Sequence, residues 1–270
     1  MSKNVVFWIG VKSDNPEVAK KHAYGDYSWM EYSKKTWQYW CSKNNCEFVH
    51  YDTTKESDLR AHKVNWQRWF DVFEFIESKG ITDYDQILLT DASIMAKWDM
   101  PDIFQHTDRK FCALRGNENL KWSYESKEGY QDMFPDVQYE LNDYFASGFC
   151  IFNKSHKEVL TQLKDFYYEN HAAILDKEEV SVKRGRDQPV VNYFLRRHGI
   201  EIKHLPIVYG VNHLYRRLVL QHNWQLNEDM TPFFIKYFYT WIFSGWPDRG
   251  QTRQSLMSQT WDLVKDNYID

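Results

Sequence analysis

The chain has 270 residues, with 34 Lys and Arg against 38 Asp and Glu and a formal net charge of −4. That balance gives no global drive toward nucleic acid or an anionic membrane, so any phosphate has to be bound locally and no nucleic-acid partner is expected. Aromatic residues make up 17% of the chain, including 12 Trp, which is enough to fill a large core and to stack on bases or sugar rings.

Val5 to Ile9 is an apolar run stopped by Gly10 and predicts a first strand. Met30, Ser33, Trp37, Trp40 and Cys41 follow helical spacing. Cys46 to Tyr51 predicts a second strand, ending on Asp52. Val64, Trp66, Trp69, Phe70, Phe73 and Ile76 form one apolar helical face, with Arg68 on the same helix and Gly80 as its stop. Ile87 to Leu89 is continuously apolar, as in a central strand covered on both faces, and the run ends on Asp91 with Ser93 two positions later. The order strand, helix, strand, helix, strand predicts an α/β fold with a mostly parallel sheet. Gly10, Asp52 and Asp91 then stand at the carboxyl ends of three strands, the edge of such sheets where ligands bind. Each could also serve only as a turn residue.

The second half is less regular. Lys110 to Leu114 predicts a strand, and residues 116–143 are polar and rich in loop formers. Tyr144 to Asn153 contains a strand entered through Ser147 and Gly148. His156 to Tyr168 has helical periodicity. The basic loop Lys183-Arg184-Gly185-Arg186 precedes a helix over Asp187–Arg197, with Asp187 expected at the N-cap. Glu201 to Leu205 is a short strand stopped by Pro206. The aromatic stretch from Pro232 to Trp246 reads as a helix or strand packed on the core, or as a patch touching a membrane or a lipid-linked acceptor. The apolar run at the N-terminus is too short for a signal peptide. No apolar run reaches the roughly 18 residues of a spanning helix. Cys41, Cys46, Cys112 and Cys150 have no close pairing of the metal-site kind, which predicts free thiols in a reducing, cytoplasmic compartment. The natural boundary falls near residues 105–110, dividing one continuous domain into residues 1–105 and 106–270.

Several of these pieces, in this order, resemble the GT-A glycosyltransferases. YDQILLTDASIMAKWDMPDIF resembles the segment carrying that family's DxD motif. YFASGFCIFNKSHKEVL resembles its later strand and helix. Asp187-Gln188-Pro189 with VVNYFL resembles its acceptor-side helix, HLPIVYGVN its "LP..yN" piece, and Phe243-Ser244-Gly245 with Trp246-Pro247 its C-terminal motif. The nearest types are the glycogenin-like and bacterial lipopolysaccharide sugar transferases, and the resemblance runs over residues 4–247.

The resemblance implies a Rossmann-like GT-A fold and a retaining hexosyltransferase. Such an enzyme would move a sugar from a nucleoside diphosphate, UDP foremost, to a hydroxyl of a glycan or glycolipid, as in polysaccharide biosynthesis. Residues 1–105 would bind the nucleotide-sugar and 106–270 the acceptor. Asp187 and Gln188 would be catalytic, and Gly10, Asp52, Arg68, Asp91, Ser93, Ser147 and Gly148 would line the donor site. The family uses Mn²⁺ or Mg²⁺ to bridge the donor phosphates. Here Asp91, Ser93 and His213 would form that site, but Ser93 replaces a ligand carboxylate. Cationic side chains, Arg68 or Lys183, Arg184 and Arg186, are the alternative. The same substitution leaves open a non-catalytic nucleotide- or glycan-binding module.

Overall fold

The computed structural model describes residues 3–12, 27–52, 64–116, 120–210, 235–243 and 253–269. Its strands are β1 (Lys3–Ile9), β2 (Glu47–Tyr51), β3 (Tyr84–Asp91), β4 (Ile94–Ala96), β5 (Phe111–Arg115), β6 (Phe145–Asn153), β7 (Ile202–His204) and β8 (Thr240–Ile242). The helices used below are α1 (Trp29–Lys43), α2 (Val64–Ser78), α3 (Leu120–Glu128), α4 (Lys157–Glu169), α5 (Asp187–Arg197) and α6 (Arg253–Val264).

Six strands form one sheet in the order β2-β1-β3-β6-β5-β7, which crosses from one half of the chain to the other. β1 is parallel to β2 and β3, β5 is parallel to β7, and β6 is antiparallel to both of its neighbours. β6 is therefore the one strand running against the rest. The α/β, mostly parallel expectation is met.

Continuous apolar strands are what a sheet covered on both faces requires. Val5, Phe7 and Ile9 of β1 face a core with Trp66, Trp69 and Val72 of α2 and Leu163 of α4. Val6 and Trp8 face the opposite core, with Trp37 and Trp40 of α1 and Met257 of α6. The tryptophans are structural anchors as well as bulk. Trp37 Nε1 donates to the Ile94 carbonyl at 2.8 Å, and Trp40 Nε1 to the Met100 carbonyl at 2.8 Å. Ser33 Oγ donates to the same Ile94 carbonyl and accepts from Trp8 Nε1. These bonds fix α1 against β4, and so fix the turn at Ala92-Ser93 that joins β3 to β4.

Several elements depart from the sequence reading. The polar stretch 116–143 contains α3, whose apolar stripe is too thin to reveal it. β4 and β8 form a small second sheet, and each is too short to show a periodicity. Within Pro232–Trp246, residues 240–243 are buried in the core, β8 included. Residues 232–234 and 244–246 lie outside the described residues, as do Asn212 and His213. Among the described residues no helix is long and apolar enough to cross a membrane. All four cysteines are free. Burial pushes the Cys46 and Cys112 thiols up to about 12, which makes them structural rather than reactive.

Candidate functional site

The parallel register aligns Ile9 with both Tyr51 and Asp91. The ends of β2, β1 and β3 therefore meet at one edge, with Asp91 beside Ile9, and with Gly10 and Asp52 one position beyond the ends of β1 and β2. Asp52 is exposed there. Gly10 is buried, and its backbone N–H donates to the Tyr51 carbonyl at 3.0 Å. A Cβ at Gly10 would lie 2.1 Å from the Trp8 ring and 2.8 Å from His50 Nε2, so packing at the sheet edge alone demands the glycine.

Arg68 is the organising residue of this edge. It lies on α2, is 3% exposed, and has its guanidinium carbon 5.7 Å from the centroid of the Trp69 ring. Its Nη1 donates to Asp91 Oδ1 at 2.5 Å. Its Nη2 donates to Asp187 Oδ2 at 2.8 Å and to Ser147 Oγ at 3.0 Å, and its Nε donates to the Asn65 carbonyl at 3.1 Å. One guanidinium thus joins the end of β3, the entry of β6 and the start of α5. A fork of fixed N–H groups is suited to this, and an ammonium is not.

Asp187 is 1% exposed. Besides Arg68, Trp69 Nε1 donates to its Oδ2 at 2.9 Å and Asn65 Nδ2 to its Oδ1 at 3.3 Å. The expectation of an N-cap is corrected by the structure: Arg186 is the N-cap, and Asp187 is the first residue of the helix. Its carboxylate turns inward to α2 instead of closing over the helix end. Gln188 Oε1 accepts from the Ser147 backbone N–H at 3.2 Å, which adds the acceptor-side helix to the same network.

Gly148 gives this network its room. A Cβ there would stand 2.6 Å from Asp91 Oδ2. Gly148→Ala should therefore leave the fold intact but push Asp91 off Arg68. Loss of one charge-assisted bond should lower stability by roughly 1.5–3 kcal/mol. Urea unfolding checks this, and parental stability in the variant would show that the close approach is immaterial.

No protein-family model and no curated protein sequence matches the chain. Solved structures do match. A glycosyltransferase involved in the glycosylation of the major capsid of PBCV-1 superposes with a TM-score of 0.55 at 10% identity, over 95% of this chain and 99% of that one. The glycosyltransferase GlyE of Streptococcus pneumoniae TIGR4 gives 0.50 at 12% identity, over 99% of this chain. This chain covers 63% of GlyE, less than two thirds of its length. The chain has the GT-A glycosyltransferase fold. At these identities the likeness is one of fold, and chemistry has to be argued from the side chains.

In the GT-A fold a dication would sit at the end of β3. The residues described here do not fit one. Asp91 Oδ1 is already bonded to a guanidinium, Ser93 offers a buried hydroxyl in place of a carboxylate, and no three His, Cys, Asp or Glu side chains cluster among the described residues. Hard dications need several oxygen ligands, mostly anionic. Of the alternative cations, Arg184 is ion-paired with Glu125 of α3, while Lys183 and Arg186 are exposed. Lys183, Gly185 and Arg186 all have positive φ, at 60°, 81° and 48°. The loop thus turns sharply into Asp187, at a backbone strain of about 1–3 kcal/mol for each non-glycine residue.

Burial pushes the Asp91 carboxyl above the ordinary carboxylate range, and the nearby Asp187 charge adds to this. Arg68 and Arg253 pull the other way without cancelling it. Burial works against the charge on Arg68, but Asp91 and Asp187 outweigh it and keep Arg68 protonated. The folded state therefore holds the Asp91 proton more tightly than the unfolded chain does. This group's contribution to stability falls as pH rises from the ordinary carboxylate value through the raised one. Asp91→Asn lacks that titration, so its melting temperature should rise relative to the parent as pH climbs through the window. A difference that stays constant with pH would contradict the assignment.

Sequence reasoning singled out Asp91, Asp187, Gln188, Ser147, Gly148 and Arg68, and the structure brings all six together. Ser93 follows in the turn after Asp91. It missed Asn65 and Trp69, which hold Asp187. It also missed Arg253, whose charge reaches Asp91 from the C-terminal helix. Trp69 belongs to an apolar helical face, and nothing in the sequence separates it from the other core tryptophans.

Proposed function

We propose that the chain transfers a sugar from a nucleoside diphosphate to an acceptor hydroxyl on a glycan or glycolipid. The observation that carries this reading is Arg68 holding Asp91, at the carboxyl edge of the sheet, against Asp187, at the start of the helix on the other side. A carboxylate from each half of the chain thus meets at one point in a GT-A fold. Residues 1–105 would hold the donor and residues 106–270 the acceptor.

In this reading the bond between the anomeric carbon and the diphosphate oxygen breaks, and a bond to the acceptor oxygen forms. The acceptor proton leaves with the departing diphosphate. Positive charge develops on the sugar ring, and a fixed carboxylate beside it lowers the barrier. Both oxygens of Asp187 are engaged by N–H donors and the residue is buried. That supports an electrostatic role over attack on the sugar, with Gln188 beside it as a polar contact to the reacting centre. A retaining hexosyltransferase using a UDP-sugar is the finer form of the proposal. The free thiols fit a cytoplasmic setting.

The test is a thermal-shift panel of nucleoside diphosphates and nucleotide-sugars, each with and without Mn²⁺. A ligand that binds only the native state raises the melting temperature. One base should stand out, with its diphosphate shifting the protein more than its nucleoside. No shift from any nucleotide would reject the donor reading.

A further inference from the structure

Most of the network around Arg68 is closed to solvent: Arg68 itself, Asp187, Ser147 and Gln188 are all buried. Two of the residues bonded to Arg68 reach the surface instead. One is Asp91, whose side chain is 34% exposed. The other is Asn65, the second residue of α2, which is half-buried. A ligand arriving at the carboxyl edge of the sheet meets these two before it meets Asp187.

Asn65 is fixed by the network at both ends. Its backbone carbonyl accepts from Arg68 Nε at 3.1 Å. Its side-chain Nδ2 donates to Asp187 Oδ1 at 3.3 Å. That contact decides which way the amide faces, because turning its oxygen to a carboxylate would set two acceptors against each other. The Asn65 Oδ1 atom therefore points away from Asp187, and it has no hydrogen-bond partner among the described residues. Asp187 Oδ1 in turn receives only this amide among the described residues, since Arg68 and Trp69 both bond Oδ2.

An amide placed in this way offers a free acceptor and a second N–H, the pair of groups that neighbouring sugar hydroxyls require. Asp187 makes the acceptor stronger. A negative charge bonded to the N–H end of an amide shifts electron density onto its oxygen, and hydrogen bonds in series reinforce one another.

We infer that Asn65 is a sugar-binding residue of the donor site, whose amide pairs with a hydroxyl of the transferred pyranose and carries the influence of Asp187 to that sugar. This rests on the donor reading given above. It also provides a route from a carboxylate that is closed to solvent to a sugar that lies outside it.

The experiment is calorimetry on the full chain with UDP-, GDP-, ADP- and CDP-glucose and the matching galactose donors, each beside its nucleoside diphosphate. For the donor that binds, the analogues lacking the 2-, 3-, 4- or 6-hydroxyl follow. The parent should bind the nucleotide-sugar more tightly than the diphosphate, and one deoxy analogue should lose about 5- to 10-fold, the size of one hydrogen bond. Asn65→Ala should lose the same factor with the complete sugar, keep parental affinity for the diphosphate, and be indifferent to removal of that hydroxyl, because the two partners of one bond are not lost twice. A residue that served only to hold Asp187 would weaken the complete and deoxy sugars alike. Parental sugar affinity in Asn65→Ala, or deoxy analogues that lose as much in the variant as in the parent, would overturn the inference while leaving the donor reading in place. So would a parent that binds no nucleotide-sugar more tightly than its diphosphate. No binding of any nucleoside diphosphate would overturn both.

Discussion

Arg68→Met should destabilise the protein by about 3–5 kcal/mol, a large share of a typical domain's stability. The variant keeps the bulk of the side chain and removes the only cation bonded to both Asp91 and Asp187 among the described residues. Asp187, whose side chain is 2% exposed, would stay buried with only Trp69 and Asn65 as donors. Urea unfolding measures the loss. Arg68→Lys separates charge from shape. It should recover part of the stability, because a cation remains, but it cannot bond two carboxylates and Ser147 at once. Its turnover should stay low. The cause can be isolated by adding Asp187→Asn to Arg68→Met, which removes one of the stranded charges. The double variant should be more stable than the sum of the two single losses implies. An Arg68→Met protein that unfolds within about 0.5 kcal/mol of the parent, the range of a neutral surface change, would show that the cluster is not a buried ion network.

Asp187→Asn should lower kcat by about 10²–10³-fold, the size expected when one preorganised electrostatic contact to a transition state is removed. Donor affinity should stay within a few-fold, because a group acting only in the transition state leaves ground-state binding nearly intact. The structure makes this substitution more discriminating than the sequence did. As an N-cap, Asp187 could be replaced by Asn with little effect, since both cap well. As the first helical residue with its carboxylate on Arg68, Trp69 and Asn65, it has no capping bond to conserve. Steady-state kinetics alongside calorimetry on the same preparation reads both quantities. Near-parental kcat would remove Asp187 from the chemistry.

The half of the site that lies on the sheet was legible because strand ends are local features. An apolar run that stops on Asp91 can be read within ten residues, and the register of β2, β1 and β3 then follows from parallel pairing. The network between the halves was not legible in the same way. Arg68 and Asp187 are 119 positions apart, and a charged residue on an aromatic-rich helix is as consistent with an arginine stem covering apolar surface. Its place beside Trp69 and Val72 was the available sign, because an arginine on a buried face needs counter-charges. Asp187 is legible through its helix start, but the sequence places it at the N-cap, one position before its place in the helix. An acid at the start of a helix caps by default, and only the inward donors on α2 explain why this one does not. Arg253 had no sign at all. Its side chain bonds the Phe243 carbonyl, and the Phe243 backbone N–H bonds the Ser93 carbonyl, next to β8 and β4; strands of three residues leave no pattern to follow.

The most direct test of the account is turnover. The full chain is incubated with nucleotide-sugars of each base and a mixed acceptor glycan pool, with and without chelator, and release of nucleoside diphosphate is followed over time. The account predicts steady release from one donor that persists in chelator, and collapse of that release in Asp187→Asn. Tight donor binding with no release of diphosphate or transfer of sugar, in any combination of donor and metal, would contradict it and leave a nucleotide-binding module with a glycosyltransferase fold.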